Sequence, residues 1–353
     1  MRQASNVKRQ TSGIQPWFDL SLLPRLEQLS LVARRVRAGQ AAGERRSTKR
    51  GTSVEFADYR DYARGDDLRR VDWNVYARLE RPYVKLFEEE EDLAVHVLLD
   101  GSGSMEWGGG QSPKPKAQIS NPKSQSPKPK VQDGGTGGQG ENKWVYGRRL
   151  AAALGYVALV SGDRLTVSIL QPPTDRRPSA VGSIPAGIPT STLQLGPVRG
   201  RGHALRLFEW LGKLEASGTT DLNAGLRRYA VSGGRAGLIV LISDLFSPAG
   251  YVEGLAALAA RGHEIAVLHL LAPDEVEPPL GGDLRLLDVE TGDPQEVTID
   301  GGMRALYRRR LAAWRDEIRA NCRARDVHYV PVETDTPFER VVLYEMRRVG
   351  LVR

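Results

Sequence analysis

The segment DGSGSM, residues 100–105, places a carboxylate and two hydroxyls at every second position: Asp100, Ser102 and Ser104. A turn through such a segment can aim all three oxygens at one point. Two other stretches carry donors of the same kind. SGTTDLNAGL, residues 217–226, supplies Thr219 and Thr220, and LIVLISD ends on Asp244. Together they offer oxygen without sulfur or imidazole nitrogen, a donor set that suits Mg²⁺ or another hard ion such as Mn²⁺ or Ca²⁺. Taken singly, each piece has a plainer use: Asp-x-Ser-x-Ser suits a helix cap, Thr before Asp-Leu a helix start, and Asp after a strand a turn.

The elements that must position these groups follow from hydropathy periodicity. LAVHVLLD (93–100) predicts a buried strand and WVYGRRLAAALGYVALVSG (144–162) a helix. RLTVSIL (164–170), AGLIVLISD (236–244), HEIAVLHLL (263–271) and VHYVPV (327–332) predict further strands. Helices are expected at 203–216, 221–232, 250–261, 303–325 and 337–348. The Pro/Gly/Ser-rich stretch 171–202 leaves room for a hairpin or an edge strand, and LRLLDVETGDPQEVTI is hairpin-like. Strands alternating with helices predict an α/β fold: a Rossmann-like, mainly parallel sheet with helices on both faces. Ligands of such sheets bind at the carboxyl ends of strands. Asp100 and Asp244 fall at two of those ends.

Four parts are expected along the chain. Residues 1–53 form a basic N-terminal segment with one helix, PRLEQLSLVARRVRAG (24–39), and residues 54–92 a charged, aromatic arm or small β-rich subdomain. Residues 93–353 form the α/β domain. Residues 108–143 interrupt it with a stretch of Pro, Gly, Ser, Gln and Lys in which SPKPK occurs twice. With little to bury, this stretch is expected to be a disordered, solvated spacer, with a recognition role for the SPKPK copies as the alternative.

With 353 residues and 40% hydrophobic content, the chain can bury a sizeable core. No run approaches the roughly 18–20 apolar residues of a membrane span, and MRQASNVKRQTSG has no apolar segment behind its charges, so no secretory signal is read. A cytoplasmic protein is expected, compatible with peripheral contact with a membrane. Cys322 is read as a buried helix residue, and five scattered histidines do not make a zinc site. The net charge of +7 is unevenly placed: residues 1–50 carry +8 and residues 108–143 carry +4, which leaves −5 for the rest. Basic segments of this kind give salt-sensitive, sequence-independent affinity for nucleic acid at most.

The block VEFADYRDYARGDDLRRVDWNVYAR (54–78) holds eleven charged and five aromatic residues. Its five arginines and six carboxylates nearly cancel, so it is no cationic patch. Gly65, Asp66 and Asp67 mark a turn, and Val71, Trp73, Val75 and Ala77 alternate as a half-buried strand would. Arg60, Asp66, Asp67, Arg70, Asp72, Trp73 and Arg78 are expected to form a polar network, either an interdomain clamp or a partner-binding face. Carboxylates beside arginine have lowered pKa values and make poor general acids, which argues against catalysis here.

DGSGSM, GTTDL and LISD together resemble the three parts of the metal-ion-dependent adhesion site of von Willebrand factor A-like domains. The resemblance implies Ser102, Ser104 and Thr220 as direct ligands of a divalent cation, with Asp100 and Asp244 anchoring bound waters and an acidic side chain of a partner completing the shell. Thr220 is preferred to Thr219 because GTTDL aligns with a Gly-Gly-Thr-Asn-Leu-type pattern. EFADYRDYARGDDLRRVDW, the Ala-Arg at 77–78, EEEED, LDVETG, Tyr307, Cys322 and TDTPFERVV extend the likeness from about residue 45 to the last residue. They resemble bacterial proteins of uncharacterised function that carry this domain and are commonly encoded beside MoxR-type AAA ATPases. The low-complexity stretch after Met105 departs from that pattern, on the rim of the expected site. The function implied is non-enzymatic: a metal-dependent protein-binding or assembly factor working with a MoxR-type ATPase. The alternatives are a metal-assisted hydrolase or phosphotransferase, with Asp100 or Ser102 as nucleophile, and nucleic-acid binding through the basic segments. The first lacks the Asp-x-Asp pair, the G-x-S-x-G elbow and a glycine-rich phosphate loop.

Overall fold

The computed structural model describes residues 17–33, 55–63, 71–88, 92–109, 141–171, 192–232, 234–278, 282–287, 294–299 and 301–353. The chain forms two units, residues 40–92 and residues 1–39 with 93–353. The first described element of the larger unit is a 3₁₀ turn, Leu20–Leu22, capped by the Asp19 carboxylate, which leads into the short helix α1 (Leu23–Leu26). The helix expected over 24–39 thus ends at Leu26. Beyond it the chain extends: Leu31 bridges Val352, and Val32 N–H donates to the Leu351 carbonyl at 2.9 Å. Phe18, Leu26, Leu29 and Leu31 are buried in the core, so the leucine spacing serves tertiary pairing rather than a helical stripe.

In the smaller unit, β1 (Glu55–Asp61), helix α2 (Trp73–Leu79) and β2 (Tyr83–Glu88) follow in order. The strands pair antiparallel from Glu55↔Glu88 to Asp61↔Tyr83, with a register shift between Phe56 and Asp58. Trp73, Val75 and Ala77, expected in a strand, lie in α2 instead. The reason is local: the Asp72 carboxylate accepts the N–H groups of Asn74 at 3.0 Å and Val75 at 3.4 Å, which starts a helix. Only Val71 keeps strand character, through a bridge to Val84. Asp66, Asp67, Arg70 and the side chain of Arg60 lie outside the described residues, and Trp73 and Arg78 are exposed.

The main domain runs β3 (Ala94–Asp100), α3 (Lys143–Val160), β4 (Arg164–Leu170), β5 (Thr192–Arg199), α4 (Ala204–Gly212), α5 (Leu222–Ser232), β6 (Leu238–Ser243), α6 (Val252–Ala260) and β7 (Glu264–Leu271). It continues with α7 (Pro273–Val276), the hairpin β8 (Gly282–Leu287) and β9 (Pro294–Ile299), α8 (Gly301–Ala324) and β10 (His328–Glu333). Helical turns from Phe338 to Arg348 follow. The sheet order is β10-β7-β6-β3-β4-β5, parallel except for β5, which runs antiparallel to β4 at the edge. This is the Rossmann-like α/β sheet expected from the sequence.

The strands are apolar on both faces because both faces are covered. Val95, Val97 and Leu99 of β3 pack with α3 and α4, while Leu98 points to the other side with Leu222, Leu226, Leu255 and Ile318 from α5, α6 and α8. Cys322 of α8 is buried there, its thiol pKa pushed up to about 11 by burial. Helix α3 has fourteen of its eighteen residues buried. Gly155 lets it approach α4, since a Cβ there would lie 2.6 Å from Leu207 Cδ2. The chain leaves β3 toward β4 on one side and returns to β6 on the other. The carboxyl ends of β3 and β6 are therefore the switch point of the sheet, the place where open sheets of this kind form their ligand crevice.

Residues 110–140 lie outside the described residues. The segment returns next to where it left: Lys143 N–H donates to the Trp107 carbonyl at 3.0 Å. Asn142 caps α3, its Oδ1 accepting from Trp144 N–H at 2.8 Å and Val145 N–H at 3.3 Å. Lys143, expected within the spacer, is the first residue of that helix and is fully buried.

Candidate functional site

Asp100 ends β3 and is buried. Its Oδ1 accepts from Ser102 N–H at 3.0 Å and its Oδ2 from the Ser243 hydroxyl at 2.6 Å. The loop beyond it is stitched to the segment before α5: Gly103 N–H donates to the Gly218 carbonyl at 2.7 Å, and Ser217 N–H to the Gly101 carbonyl at 2.8 Å. Met105, fully buried in the 3₁₀ turn Gly103–Glu106, anchors the loop from below. These restraints bring the Ser102 and Ser104 hydroxyl oxygens to 3.0 Å from each other.

Thr220 and Asp244 complete the corner. Leu170, at the end of β4, accepts at its carbonyl from Gly101 N–H at 2.9 Å and from Thr220 Oγ1 at 3.4 Å, so Thr220 shares a backbone partner with the β3 loop. Thr220 is buried and Thr219 exposed. Asp221, next in sequence, caps α5 by accepting Ala224 N–H at 2.8 Å. Asp244 follows β6 and is fully buried. Its Oδ1 accepts Phe246 N–H at 3.0 Å and its Oδ2 accepts from Lys143 Nζ at 2.7 Å. Lys143 also reaches Glu275 Oε1 at 2.5 Å, and Glu275 is held by Ala272 N–H at 2.8 Å.

The electrostatics follow from burial and from two carboxylates in one corner. Burial first, and the charge of Asp244 second, push the Asp100 pKa up to about 6 against the bonds from Ser243 and Ser102. Burial alone would lower the Lys143 pKa, but Asp244 and Glu275 outweigh it and raise it, so the amine is an ammonium and no nucleophile. Glu275 is raised by burial more than Lys143 lowers it. Burial holds His269 at about 4. Its Nε2 lies 3.1 Å from the Asp244 carbonyl, which can only accept, so Nε2 carries the proton and Nδ1 accepts from the Tyr329 hydroxyl at 2.8 Å. Both ring nitrogens are thereby engaged.

The residues present fit a hard divalent ion. Octahedral Mg²⁺ binds oxygen at about 2.0–2.1 Å, which sets neighbouring ligands about 2.9 Å apart. The Ser102 and Ser104 hydroxyls stand at 3.0 Å. Among the described residues no group of three or more His, Cys, Asp and Glu side chains is arranged to hold a metal ion. Of the residues singled out in the sequence, Asp100, Ser102 and Ser104 are joined by hydrogen bonds, Thr220 shares the Leu170 carbonyl with their loop, and Asp244 lies close enough for its charge to raise the Asp100 pKa. Asp72 serves within the smaller unit, where the Tyr59 hydroxyl donates to its Oδ2 at 2.9 Å. Sequence reasoning missed Lys143, Ser243 and Glu275. A lysine in the first turn of a helix that is apolar but for Arg148 and Arg149, and a serine in an apolar strand, were the available signals for the first two. Glu275 belongs to a one-turn helix with no periodicity to find.

The family described as "Protein of unknown function DUF58" matches residues 58–121 and 135–317. An uncharacterized protein of Mycobacterium tuberculosis is 26% identical over 320 residues, covering 90% of this chain and 86% of that protein. An uncharacterized protein of Mycobacterium avium is 37% identical over 101 residues, 29% of this chain and 59% of that protein. Among solved structures, the conserved hypothetical protein BatB from Bacteroides thetaiotaomicron aligns with a TM-score of 0.37 and 13% identity, covering 73% of this chain and 98% of that one. The family match spans both units and the two sides of the low-complexity stretch, and on that ground the chain belongs to the DUF58 family.

Proposed function

We propose that this protein is a non-enzymatic binding or assembly factor whose crevice takes a divalent cation, Mg²⁺ or a similar ion, and through it an acidic side chain of a protein partner. Ser102, Ser104 and Thr220 would be the direct ligands, with Asp100 and Asp244 holding the ion's waters. The observation that carries this reading is the pair of serine hydroxyls set 3.0 Å apart beside the buried Asp100. When bound, the ion supplies an electrophilic position that accepts a carboxylate. The chain's own work is positioning: Ser243 and Ser102 N–H fix Asp100, and the bonds to Gly218 and Gly101 hold the serine loop against the Thr220 segment.

Two features support binding over hydrolysis. Lys143 is held as an ammonium between two carboxylates, and His269 has both nitrogens occupied, so neither is free to act as a general base. Cooperation with a MoxR-type AAA ATPase rests on the resemblance of the charged block and the site motifs. Among the described residues no helix is long and apolar enough to cross a membrane.

Calorimetric titration with Mg²⁺ or Mn²⁺ tests the metal assignment: Asp100→Ala and the Ser102→Ala/Ser104→Ala pair should each lose most of the binding, and equal binding in wild type and Asp100→Ala would overturn it. A pull-down from native lysate with and without EDTA tests the partner, which should be released by the chelator. Phosphatase and ATPase assays with and without metal should show no turnover.

A further inference from the structure

Lys143 sits where a cation is doubly disfavoured. No part of its side chain is exposed, so its hydration is lost, and it occupies the first turn of α3, where the helix presents positive partial charge. Yet its Nζ lies 2.7 Å from Asp244 Oδ2 and 2.5 Å from Glu275 Oε1, with the face of Phe246 5.2 Å away. The second oxygen of Asp244 is taken by Phe246 N–H. Both oxygens of one candidate cation-site carboxylate are thus engaged by the chain itself, one of them by a full positive charge. A structural ion pair would serve as well with the lysine on a surface. Burying it against this carboxylate links it to the crevice.

We propose that Lys143 sets the affinity of the crevice for a divalent cation by competing with it for Asp244. Glu275 is the alternative seat: with two carboxylates in reach, the ammonium can shift its weight to Glu275 when Asp244 turns to the water shell of an ion. This rests on the metal reading above and adds a residue that the sequence motifs do not contain. If the lysine only tied α3 to two loops, removing it would lower stability and leave cation affinity unchanged.

The test uses the full chain with Mn²⁺ as probe, followed by calorimetry and by electron paramagnetic resonance of free Mn²⁺, with each variant's unfolding midpoint recorded first. Lys143→Met should bind Mn²⁺ about tenfold more tightly or better, since a like charge has been removed from a poorly solvated site. Glu275→Gln should bind more weakly, because the ammonium is left with Asp244 alone. In an Asp244→Asn background the Lys143→Met gain should vanish. Should Lys143→Met fail to fold, Lys143→Gln and Glu275→Gln give the same contrast in opposite directions. Asp100-dependent binding in wild type that is unchanged or weakened in Lys143→Met would overturn the competition and leave the metal site standing. A gain that persists with Asn at 244 would also overturn it. Absence of Mn²⁺ binding in both wild type and Lys143→Met, or binding indifferent to Asp100→Ala, would remove the metal site and the competition together.

Discussion

Ser243 donates to Asp100 Oδ2 at 2.6 Å and accepts Leu245 N–H at 2.9 Å, so one hydroxyl joins the ends of β3 and β6. Ser243→Ala should cost about 1–3 kcal/mol, because it removes a bond from a buried carboxyl group as well as a loop tie. Urea unfolding measures this. A second residue-scale expectation concerns pH. His96 is buried on β3, with Nε2 3.1 Å from the Arg235 carbonyl and Nδ1 2.8 Å from the Tyr229 hydroxyl, and burial holds its pKa at about 4. The unfolded chain protonates His96 below about 6.5, while the folded chain does not until about pH 4, so stability falls as pH drops through that window. His269, also near 4, has the same sign, and Asp100, raised to about 6, has the opposite one. Comparing wild type with His96→Gln isolates one group: the variant should lose about 2 kcal/mol less than wild type between pH 7 and pH 5. At this scale the closeness of Asp100, Ser102 and Ser104 was legible because alternate positions on a strand-end loop come together, here within hydrogen-bond distance at 3.0 Å. Lys143 and Glu275 were not, because their meeting point is made by the return of a segment after residue 140 and by a turn after β7.

At the scale of elements, β5 shows how closely the sheet edge is fitted. Gly196 has φ of +107°, and a Cβ there would fall 2.4 Å from the Leu165 carbonyl on β4, next to the register shift between Leu165 and Val167. Gly196→Ala should therefore cost about 3 kcal/mol, visible as a lower unfolding midpoint. Helix α2 depends on its cap in a different way: Asp72→Ala should cost about 1–2 kcal/mol and reduce helicity in the smaller unit. Alternation of Val71, Trp73, Val75 and Ala77 predicted a strand there, and the aspartate that caps the helix was the stronger local signal. The expected helix over 24–39 failed for the converse reason, since residues 30–32 pair with residues 351–353, hundreds of positions away in sequence.

For the whole molecule, the alternation of apolar runs with helical segments was enough to read the parallel sheet, because burial on both faces leaves a plain mark in composition. The short-range return of the chain around residues 110–140 was not legible, since nothing in a low-complexity stretch says how far apart its ends lie. With Lys143 N–H bonded to the Trp107 carbonyl, replacing residues 110–140 by a few glycines should leave the fold intact and raise stability by about 1–2 kcal/mol, through the smaller entropy of loop closure. Thermal and urea unfolding of that variant check it.

Helix α8 meets the sheet mainly through its second half, where Ile318 and Cys322 are buried, while residues 301–310 are almost wholly exposed. Within that exposed half the Tyr307 hydroxyl donates to the Glu275 carbonyl. Mechanically this is a lever: twenty-four residues span about 36 Å, clamped at the far end and propped partway along by Tyr307 and by Arg308, which pairs with Glu277 at 3.0 Å. A load on the exposed half acts first on these props, and one of them is the backbone of Glu275, the residue that shares the ammonium of Lys143 with Asp244.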